Sequence, residues 1–310
     1  MTATDAAAPA AAGVSVVPAA TRTQRRLAFS KYQGLGNDFI MVDNRDSVEL
    51  ALSPAQAVAL CDRHTGIGGD GVIFLLPPNA ATGAAGDACT ASMRIINSDG
   101  SEPEMCGNGV RCLAVFAADL GMDTATLVLD TLAGVIVPTV TPGGGAVRVD
   151  MGVPITDPRA VPTTLPATTA NVTVDGKDWT MTGVSMGNPH AVTFVSAEDF
   201  VAIDKDLERL GPQFENLTSV FPARVNTEFV AVDAPDAVRM VVWERGAGRT
   251  RACGTGACAV VVAAVLTGRT ERTVTVGLPG GDLLIEWNEA DGRVYMTGPA
   301  ELAFTGFVTV

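Results

Sequence analysis

Two cysteines of this chain stand at the start of matching glycine-rich turns. Cys106 opens the turn Cys-Gly-Asn-Gly, Cys253 opens the turn Cys-Gly-Thr-Gly, and a run typical of a helix follows each of them. The first turn of a helix has free backbone N–H groups at the positive end of its dipole, which stabilise a thiolate and lower the pKa of a thiol. The same N–H groups bind a carboxylate or a phosphate. The pattern therefore predicts two reactive thiols that face one ligand.

The two turns belong to a repeated sequence. The same offset of 147 residues separates Met93 from Met240 (240 − 93) and Cys106 from Cys253 (253 − 106), with no gap in between. Each copy reads as an apolar strand, a polar turn, the cysteine turn and a helical run. We interpret the chain as a tandem duplication in which each copy contributes one thiol.

Two asparagines also stand at related places in the two halves. Asn37 ends a Gly-Leu-Gly-Asn turn, and Asn188 lies in the sequence Met-Gly-Asn-Pro-His. A hairpin tip alone would not need asparagine twice. The amide group offers both donors and an acceptor, which is what a zwitterionic ligand requires.

Charged residues near the second cysteine turn leave two interpretations open. Glu244 and Arg245 form either an ordinary surface ion pair or a ligand site in which the arginine binds a carboxylate with two hydrogen bonds. His190 is one of only two histidines in the chain, and it is either a structural residue or part of a catalytic site.

The composition limits the classes of partner. The chain has 310 residues, enough for two ordinary domains, and its 33 glycines and 47% hydrophobic residues are typical of a globular α/β protein with many tight turns. A net charge of −13 argues against nucleic acid and anionic membranes as partners. The sequence has no apolar run long enough to predict a transmembrane helix. We therefore expect a small-molecule partner.

The remaining cysteines are expected to be packing residues. They are Cys61, Cys89, Cys112 and Cys258. Because the sequence has no Cys-x-x-Cys or histidine-rich pattern and no signal peptide, we expect no metal site, and we expect reduced thiols in an intracellular compartment.

The elements that must position these residues suggest two similar domains. Residues 1–25, rich in alanine, are expected to be a disordered tail or the remnant of a transit peptide. Residues 26–152 are expected to form an N-terminal domain, to which residues 299–310 return, and residues 153–298 a C-terminal domain. Each domain is predicted to be a curved, mostly antiparallel β-sheet or barrel wrapped around a central helix, which makes an α/β (α+β) fold of two pseudo-symmetric halves. The run 258–266 is apolar all round and predicts a helix that is buried on every side.

Four groups of motifs, taken together, resemble a known family. They are Gly-Leu-Gly-Asn-Asp-Phe at 34–39, Asn-Ser-Asp-Gly-Ser-Glu at 97–102 before Met-Cys-Gly-Asn-Gly at 105–109, Met-Gly-Asn-Pro-His at 186–190, and Glu-Arg-Gly-Ala-Gly at 244–248 before Ala-Cys-Gly-Thr-Gly at 252–256. In this combination, residues 27 to 310 resemble the diaminopimelate epimerase family, in particular its plant and cyanobacterial form.

The resemblance implies an isomerase that needs no cofactor and interconverts LL- and meso-2,6-diaminopimelate in lysine biosynthesis. One cysteine, as a thiolate, would remove the α-proton, and the other, as a thiol, would return a proton to the opposite face. In the LL-to-meso direction the resemblance makes Cys253 the acceptor and Cys106 the donor, with His190 and Glu244 supporting catalysis. The implied substrate contacts are Asn37, Asn97, Gly107, Asn108, Asn188, Asn226, Glu244, Arg245, Gly254 and Thr255.

The resemblance also implies a homodimer. Phe304 stands where many members carry a tyrosine that is used in the dimer contact. The plant-like form points to the chloroplast stroma, and the alternative is a bacterial cytoplasm.

Three positions depart from the family pattern. Gly71 stands where many bacterial members have a glutamine that touches the ligand. Arg249 and Arg251 occupy the loop before the second cysteine, where acidic, small or apolar residues are more common. Whether they tune the thiol or face solvent is open at the level of sequence.

Two alternative functions remain at this level. One is a proline or hydroxyproline racemase on a similar fold, which the Asn and Glu-Arg set disfavours because it suits a second amino-acid head group. The other, from a different class, is a metal- or disulfide-stabilised binding protein that uses the six cysteines.

Overall fold

The computed structural model describes residues 25–82, 88–143 and 145–310. The tail that is expected at residues 1–25 lies outside the described residues, apart from Arg25 at its end. Within the described residues, no helix has the length and apolar character that crossing a membrane would require.

The described part of the chain contains four α-helices, one short 3₁₀ helix (Thr124–Thr126) and eighteen strands. The helices are α1 (Pro54–Cys61), α2 (Gly107–Asp119), α3 (Ala197–Glu215) and α4 (Gly254–Leu266). The first nine strands are β1 (Arg26–Gly34), β2 (Asn37–Asp43), β3 (Gly71–Leu76), β4 (Ala91–Asn97), β5 (Leu129–Thr131), β6 (Gly134–Ile136), β7 (Pro138–Val140), β8 (Val147–Asp150) and β9 (Thr169–Val174). The other nine are β10 (Lys177–Ser185), β11 (Pro189–Phe194), β12 (Asn226–Ala234), β13 (Ala237–Glu244), β14 (Gly248–Arg249), β15 (Thr273–Leu278), β16 (Gly281–Trp287), β17 (Val294–Gly298) and β18 (Glu301–Thr309).

These strands form two large sheets. The first has seven strands in the order β18-β1-β2-β3-β4-β5-β6, and the second has eleven, in the order β7-β8-β17-β16-β15-β13-β12-β11-β10-β9 with β14 paired to β13. Most neighbouring strands are antiparallel, but the pairs β2–β3, β4–β5, β11–β12 and β13–β15 are parallel. The predicted fold, two halves that are each built on a mostly antiparallel sheet with a central helix, is confirmed, and both sheets also contain parallel pairs.

The chain crosses from the first sheet to the second after β6, and it returns to the first sheet after β17. Strands β7 and β8 join the second sheet through β17, whereas β18 returns to the first sheet beside β1. Since a sheet and a domain need not share their boundaries, the domain limits given above for residues 26–152, 153–298 and 299–310 stay a prediction.

Helices α2 and α4 begin directly after the two cysteines. Cys106 and Cys253 are the N-cap residues, with extended backbone angles (φ −139° and −125°), and neither side chain caps its helix. The first N–H groups of both helices therefore stay available for a ligand. Helix α4 is buried along almost its whole length, as its apolar sequence predicts.

One apolar cluster connects these two helices to both sheets. It includes Val110 and Leu113 of α2 and Val260 and Val261 of α4, all fully buried. Because apolar burial is the main favourable term in folding, a continuous cluster fixes the two helices relative to each other. The two cysteine turns are therefore held in a fixed position relative to each other.

A second apolar cluster lies under α3. Trp179, Phe214 and Phe229 meet there in edge-to-face contacts, with ring centroids 5.0 to 5.8 Å apart. At the edge of the cluster the Trp243 ring lies directly on the backbone of α3 at Gly211, where an added Cβ would be 2.3 Å from the ring. This contact connects α3 to the end of β13, where Glu244 is the last residue.

We predict that Gly211→Ala destabilises the protein. At 2.3 Å the methyl group would overlap the Trp243 ring severely, which places the cost in the upper part of the range of about 1–3 kcal/mol for overpacking. This exceeds the helix propensity of about 1 kcal/mol gained by replacing glycine with alanine. Urea unfolding followed by circular dichroism measures the change. The matched control is Gly145→Ala, because nothing lies within 4 Å of an added Cβ there; equal midpoints for the two variants would contradict the prediction.

Candidate functional site

The N-termini of α2 and α4 meet on either side of one methionine side chain. An added Cβ at Gly107 would lie 3.1 Å from Cε of Met296, and one at Gly254 would lie 3.0 Å from its Sδ. The Cβ at Gly254 would also be 3.8 Å from Oδ1 of Asn108, so the two turns are direct neighbours. Glycine at the first position of each helix is what permits this approach.

The surroundings of Cys106 are amide groups. Its Sγ lies 3.8 Å from Oδ1 of Asn37, and the same oxygen accepts a hydrogen bond of 3.1 Å from Nδ2 of Asn108. Asn37 is held from behind, because its own Nδ2 donates to a carboxylate oxygen of Asp70 at 2.6 Å. Asp70 in turn pairs with Arg63 at 2.8 Å. The β1–β2 turn therefore presents a fixed amide to the first thiol.

The surroundings of Cys253 are a hydroxyl group and carboxylates. Its Sγ lies 3.7 Å from Oγ1 of Thr255, to which Nδ2 of Asn188 also donates at 3.3 Å. The Glu244 carboxylate accepts a short hydrogen bond from Thr250 and lies near Cys253, where its charge raises the pKa of the thiol. The second thiol is almost fully buried, with 4% of the residue exposed.

His190 connects Asn188 to a buried carboxylate that sequence reasoning missed. Its Nδ1 lies 2.6 Å from Oε1 of Glu228, and its Nε2 lies 3.0 Å from Oδ1 of Asn188. An added Cβ at Gly256 would be 2.8 Å from the same Glu228 oxygen, so this carboxylate lies beside the first turn of α4. A glutamate directly before the apolar run Phe-Val-Ala-Val of β12 was the signal that could have found it.

Three of the residues that are implied as substrate contacts form hydrogen bonds within the protein instead. Asn226 donates to the Pro189 carbonyl and accepts from the backbone N–H of Arg245, both at 2.9 Å. The Arg245 guanidinium donates to the Ala223 carbonyl at 3.0 Å. At the end of β4, Asn97 donates to the Ser101 hydroxyl at 3.0 Å. The other implied contacts surround the two cysteine turns: Asn37, Gly107, Asn108, Asn188, Glu244, Gly254 and Thr255.

The three departures from the family pattern have separate structural settings. Gly71 lies in β3, where an added Cβ would be 2.9 Å from the Ile96 carbonyl oxygen, so the strand has no room for a side chain. Arg249 forms an ion pair of 2.6 Å with Asp204 of α3. The Arg251 guanidinium lies against Gly36, with Nε 3.2 Å from an added Cβ there. Both arginines therefore make contacts with other elements of the fold.

The pKa values of both thiols lie above the ordinary value for cysteine. Burial is the main cause, and for Cys106 the backbone N–H groups of Gly109 and Asn108 act in the opposite direction. At Cys253 the nearby carboxylates of Glu244 and Glu228 add to burial, and the pKa is raised well above the ordinary value. The expectation of a lowered thiol pKa is therefore wrong, because desolvation outweighs the N–H groups of the helix. Burial also raises the pKa of the Glu244 carboxyl.

The other cysteines and the potential metal ligands are dispersed. Cys61, Cys112 and Cys258 are buried free thiols, and burial raises their pKa values to about 11 for Cys61 and about 12 for the other two. The described residues contain no group of three or more His, Cys, Asp or Glu side chains that could hold a metal ion.

The loop after Glu244 is anchored to the end of α3 by a buried glutamate. Glu215 accepts hydrogen bonds from the backbone N–H of Gly246 at 2.9 Å, from Arg224 at 2.8 Å and from Nε1 of Trp243 at 2.8 Å. Three donors thus converge on one carboxylate. This carboxylate fixes the loop that carries the charged pair at residues 244 and 245.

A family model and several named proteins match most of this chain. The family model described as Diaminopimelate epimerase matches residues 29–156 and 182–303. Diaminopimelate epimerase 1 of Nostoc sp. is 56% identical over 288 residues, which cover 90% of this chain and 99% of that protein. The protein named Diaminopimelate epimerase, chloroplastic, from Oryza sativa subsp. japonica is 55% identical over 294 residues, covering 92% of this chain and 80% of that protein.

Solved structures share the fold at much lower identity. A probable proline racemase from Agrobacterium radiobacter, with bound carbonate, superposes with a TM-score of 0.63 at 14% identity, covering 91% of this chain and 92% of the other. A hydroxyproline epimerase from Agrobacterium vitis superposes with a TM-score of 0.62 at 15% identity, covering 94% of each chain.

We predict that Glu215→Gln lowers the free energy of unfolding by about 1–3 kcal/mol, since an amide NH₂ group would face a donor and leave a buried group without its hydrogen bond. Urea unfolding measures this change. Glu208→Gln is the matched control, because Glu208 is exposed on the same helix. If the two variants are equally stable, the proposed anchoring of the loop by Glu215 is wrong.

Proposed function

We propose, since this chain belongs to the diaminopimelate epimerase family, that it interconverts LL- and meso-2,6-diaminopimelate by moving one proton at an α-carbon. The observation that carries the proposal is the pair of cysteine turns that meet at Met296. The proposed reaction uses no cofactor. The chemistry that a cofactor would supply, stabilisation of negative charge next to the α-carbon, falls to the protein itself.

The two helix N-termini are suited to this task. The free N–H groups of α2 and α4 can bind the α-carboxylate, and they lie where negative charge develops when the α-proton leaves. Donors that are already oriented in a buried site stabilise such charge without reorganisation, which is often the largest single contribution to catalysis. We assign Gly107, Asn108, Gly254 and Thr255 to the carboxylate, because they form the first turns of the two helices.

Proton transfer then involves one thiol on each face of the α-carbon. In the LL-to-meso direction the Cys253 thiolate takes the α-proton, so the Cα–H bond breaks and an S–H bond forms. The Cys106 thiol gives its proton to the opposite face, so its S–H bond breaks and a new Cα–H bond forms. The configuration is inverted, and the protein is left with the thiolate on the other cysteine. The reverse reaction restores the first state.

The substrate itself can favour the thiolate. Burial raises the pKa of both thiols, and an opposite charge placed beside a thiol lowers its pKa. The α-ammonium group of the substrate is such a charge, and we assign Glu244 to accept a hydrogen bond from it because this carboxylate lies near enough to Cys253 to raise the pKa of the thiol. His190, held by Glu228, orients Asn188 toward the same site.

The second head group of diaminopimelate distinguishes the proposal from a proline or hydroxyproline racemase. The side chain of Asn97 donates a hydrogen bond to a hydroxyl group of the protein, and that of Arg245 donates one to a backbone carbonyl group. We propose that they exchange these partners for the distal amino-acid group, while Asn226 keeps Arg245 in place through its backbone N–H. A cyclic imino acid has no second amino-acid group to which Asn97 and Arg245 could bind.

We further propose a homodimer that is located in the chloroplast stroma, with a bacterial cytoplasm as the alternative. Leu302, Phe304 and Phe307 are exposed on β18, the outer strand of the first sheet, and the Phe304 ring contacts Phe29 edge-to-face at 6.0 Å. An exposed apolar edge strand favours contact with a second copy. The location rests on the relative from Oryza sativa that is named chloroplastic.

The proposed roles of the thiols predict that Cys106→Ala and Cys253→Ala each lose about 10²–10⁴-fold in LL-to-meso conversion, because this is the usual contribution of a general acid–base group and each thiol has no substitute. Conversion is followed by chiral chromatography without added cofactor, with L-proline as the comparison substrate. The matched control is Cys61→Ala, a buried cysteine of α1, which should retain activity. Near-normal turnover by either site variant would contradict the thiol assignment, and turnover of L-proline alone would contradict the substrate.

The raised thiol pKa values predict the sign of the pH dependence. Below its pKa a thiol is mostly protonated, so the thiolate fraction rises about tenfold for each pH unit. We therefore expect kcat/KM to increase from about pH 6 to about pH 8. Initial rates in buffers of constant ionic strength measure it. A kcat/KM that falls over this range would show that the reacting base is not one of these thiols.

A further inference from the structure

Arg111 is a fully buried arginine without a carboxylate partner. It lies in α2, five residues after Cys106, and its exposed fraction is 0%. Its Nε donates to the Pro299 carbonyl at 3.2 Å, and its Nη1 lies 3.6 Å from Sδ of Met296. Its Nη2 has no hydrogen-bond partner, and the guanidinium forms no ion pair within the described part of the chain. A permanent positive charge is therefore buried without a balancing anion.

Such an arrangement is costly unless an anion is present for part of the time. A buried charge loses its hydration, and only a nearby opposite charge compensates fully for that loss. A neutral glutamine could make the hydrogen bond to the Pro299 carbonyl. Arginine at this position therefore indicates that the charge itself has a use.

The guanidinium lies directly behind the two cysteine turns. Met296 separates it from them: its Sδ contacts Arg111, and its Cε and Sδ are the atoms nearest to Gly107 and Gly254. The repeat places no second cation opposite, because Cys258 of α4 occupies the place of Arg111 (258 − 111 = 147). One positive charge therefore stands behind two thiols.

The charged and titratable groups around Arg111 and Cys106 come from several elements. They are Cys106 at the N-cap of α2, Cys112 of α2, Cys258 of α4, Glu244 of β13, and Asp38 of β2, which acts on Cys112. Among them Glu244 disfavours a thiolate at Cys106, whereas Arg111 favours it. Cys253 instead faces two carboxylates, Glu244 and Glu228.

We propose that Arg111 is a positioning residue whose buried charge balances the Cys106 thiolate, so that in the resting protein the thiolate forms at Cys106 rather than at Cys253. The inference rests on the proposed two-thiol reaction. It adds that the two halves of the repeat are electrostatically unequal. The resting protein then holds the thiolate on Cys106 and the proton on Cys253, which is the state that the meso-to-LL direction requires. In the LL-to-meso direction the α-ammonium group of the bound substrate, placed beside Cys253, moves the thiolate to that side.

The test is the alkylation of each thiol by iodoacetamide as a function of pH, without substrate, in the full chain. Peptide mass spectrometry follows Cys106 and Cys253 separately. In Arg111→Gln and Arg111→Met, the Cys106 profile should move upward by about one pH unit, so that alkylation at neutral pH is about tenfold slower, while the Cys253 rate changes less than about twofold. The matched control, Arg148→Met, removes a half-exposed cation that is paired with Glu286 and should shift neither thiol.

Four outcomes would overturn the inference. The first two are a Cys106 profile that is unchanged in Arg111→Gln and an equal slowing of both thiols. The third is a failure of both variants to fold by circular dichroism, which would make Arg111 a folding residue. The fourth is a larger shift in Arg111→Met than in Arg111→Gln, which would assign the effect to the lost hydrogen bond instead of the charge. Because the measurement uses no diaminopimelate, failure of the wild-type protein to convert that substrate would contradict the proposed function and leave this test intact.

Discussion

The close approach of two helix N-termini is the constraint on which the rest of the structure depends. Gly107 and Gly254 allow α2 and α4 to begin against the same side chain, Met296. A continuous apolar cluster holds the helices in that position, and apolar burial of this extent leaves little freedom for either helix to move alone. The N–H groups that converge there are the physical basis of the proposed reaction, because they offer positive charge at one place without a metal or a mobile side chain.

A set of buried polar groups supports this centre from behind. Glu228 holds His190, Glu215 holds the loop after β13, and Asp70 holds Asn37. Each carboxylate orients a group that contacts the cysteine turns or carries a residue that does. Polar networks of this kind specify one geometry only when their members are satisfied. Within the described residues the guanidinium of Arg111 has no carboxylate partner, and its buried Nη2 has no hydrogen-bond partner, which is why it points to a charge that forms during function.

The sequence alone predicts the two cysteine turns, the helices behind them and the division into two sheet-rich halves, because these follow from local spacing and from a gapless repeat. It does not predict the direction of the thiol pKa shifts. Helix position favours a thiolate, but the burial that outweighs it depends on how distant segments close over Cys253. Glu228 and Glu215 escape sequence reasoning for a similar reason, since their partners are supplied by other strands and loops. The parallel strand pairs depend equally on long-range topology.

The central claim, that two thiols act on opposite faces of one α-carbon, is tested most directly by turnover of LL-diaminopimelate in D₂O at low conversion. A thiol exchanges its proton with solvent, and the proton removed from one face is not the one returned to the other. The account predicts deuterium at the inverted α-carbon of the meso product, while the unreacted LL substrate keeps its protium. Deuterium that appears equally in substrate and product from the start, as a single base would produce, would contradict it.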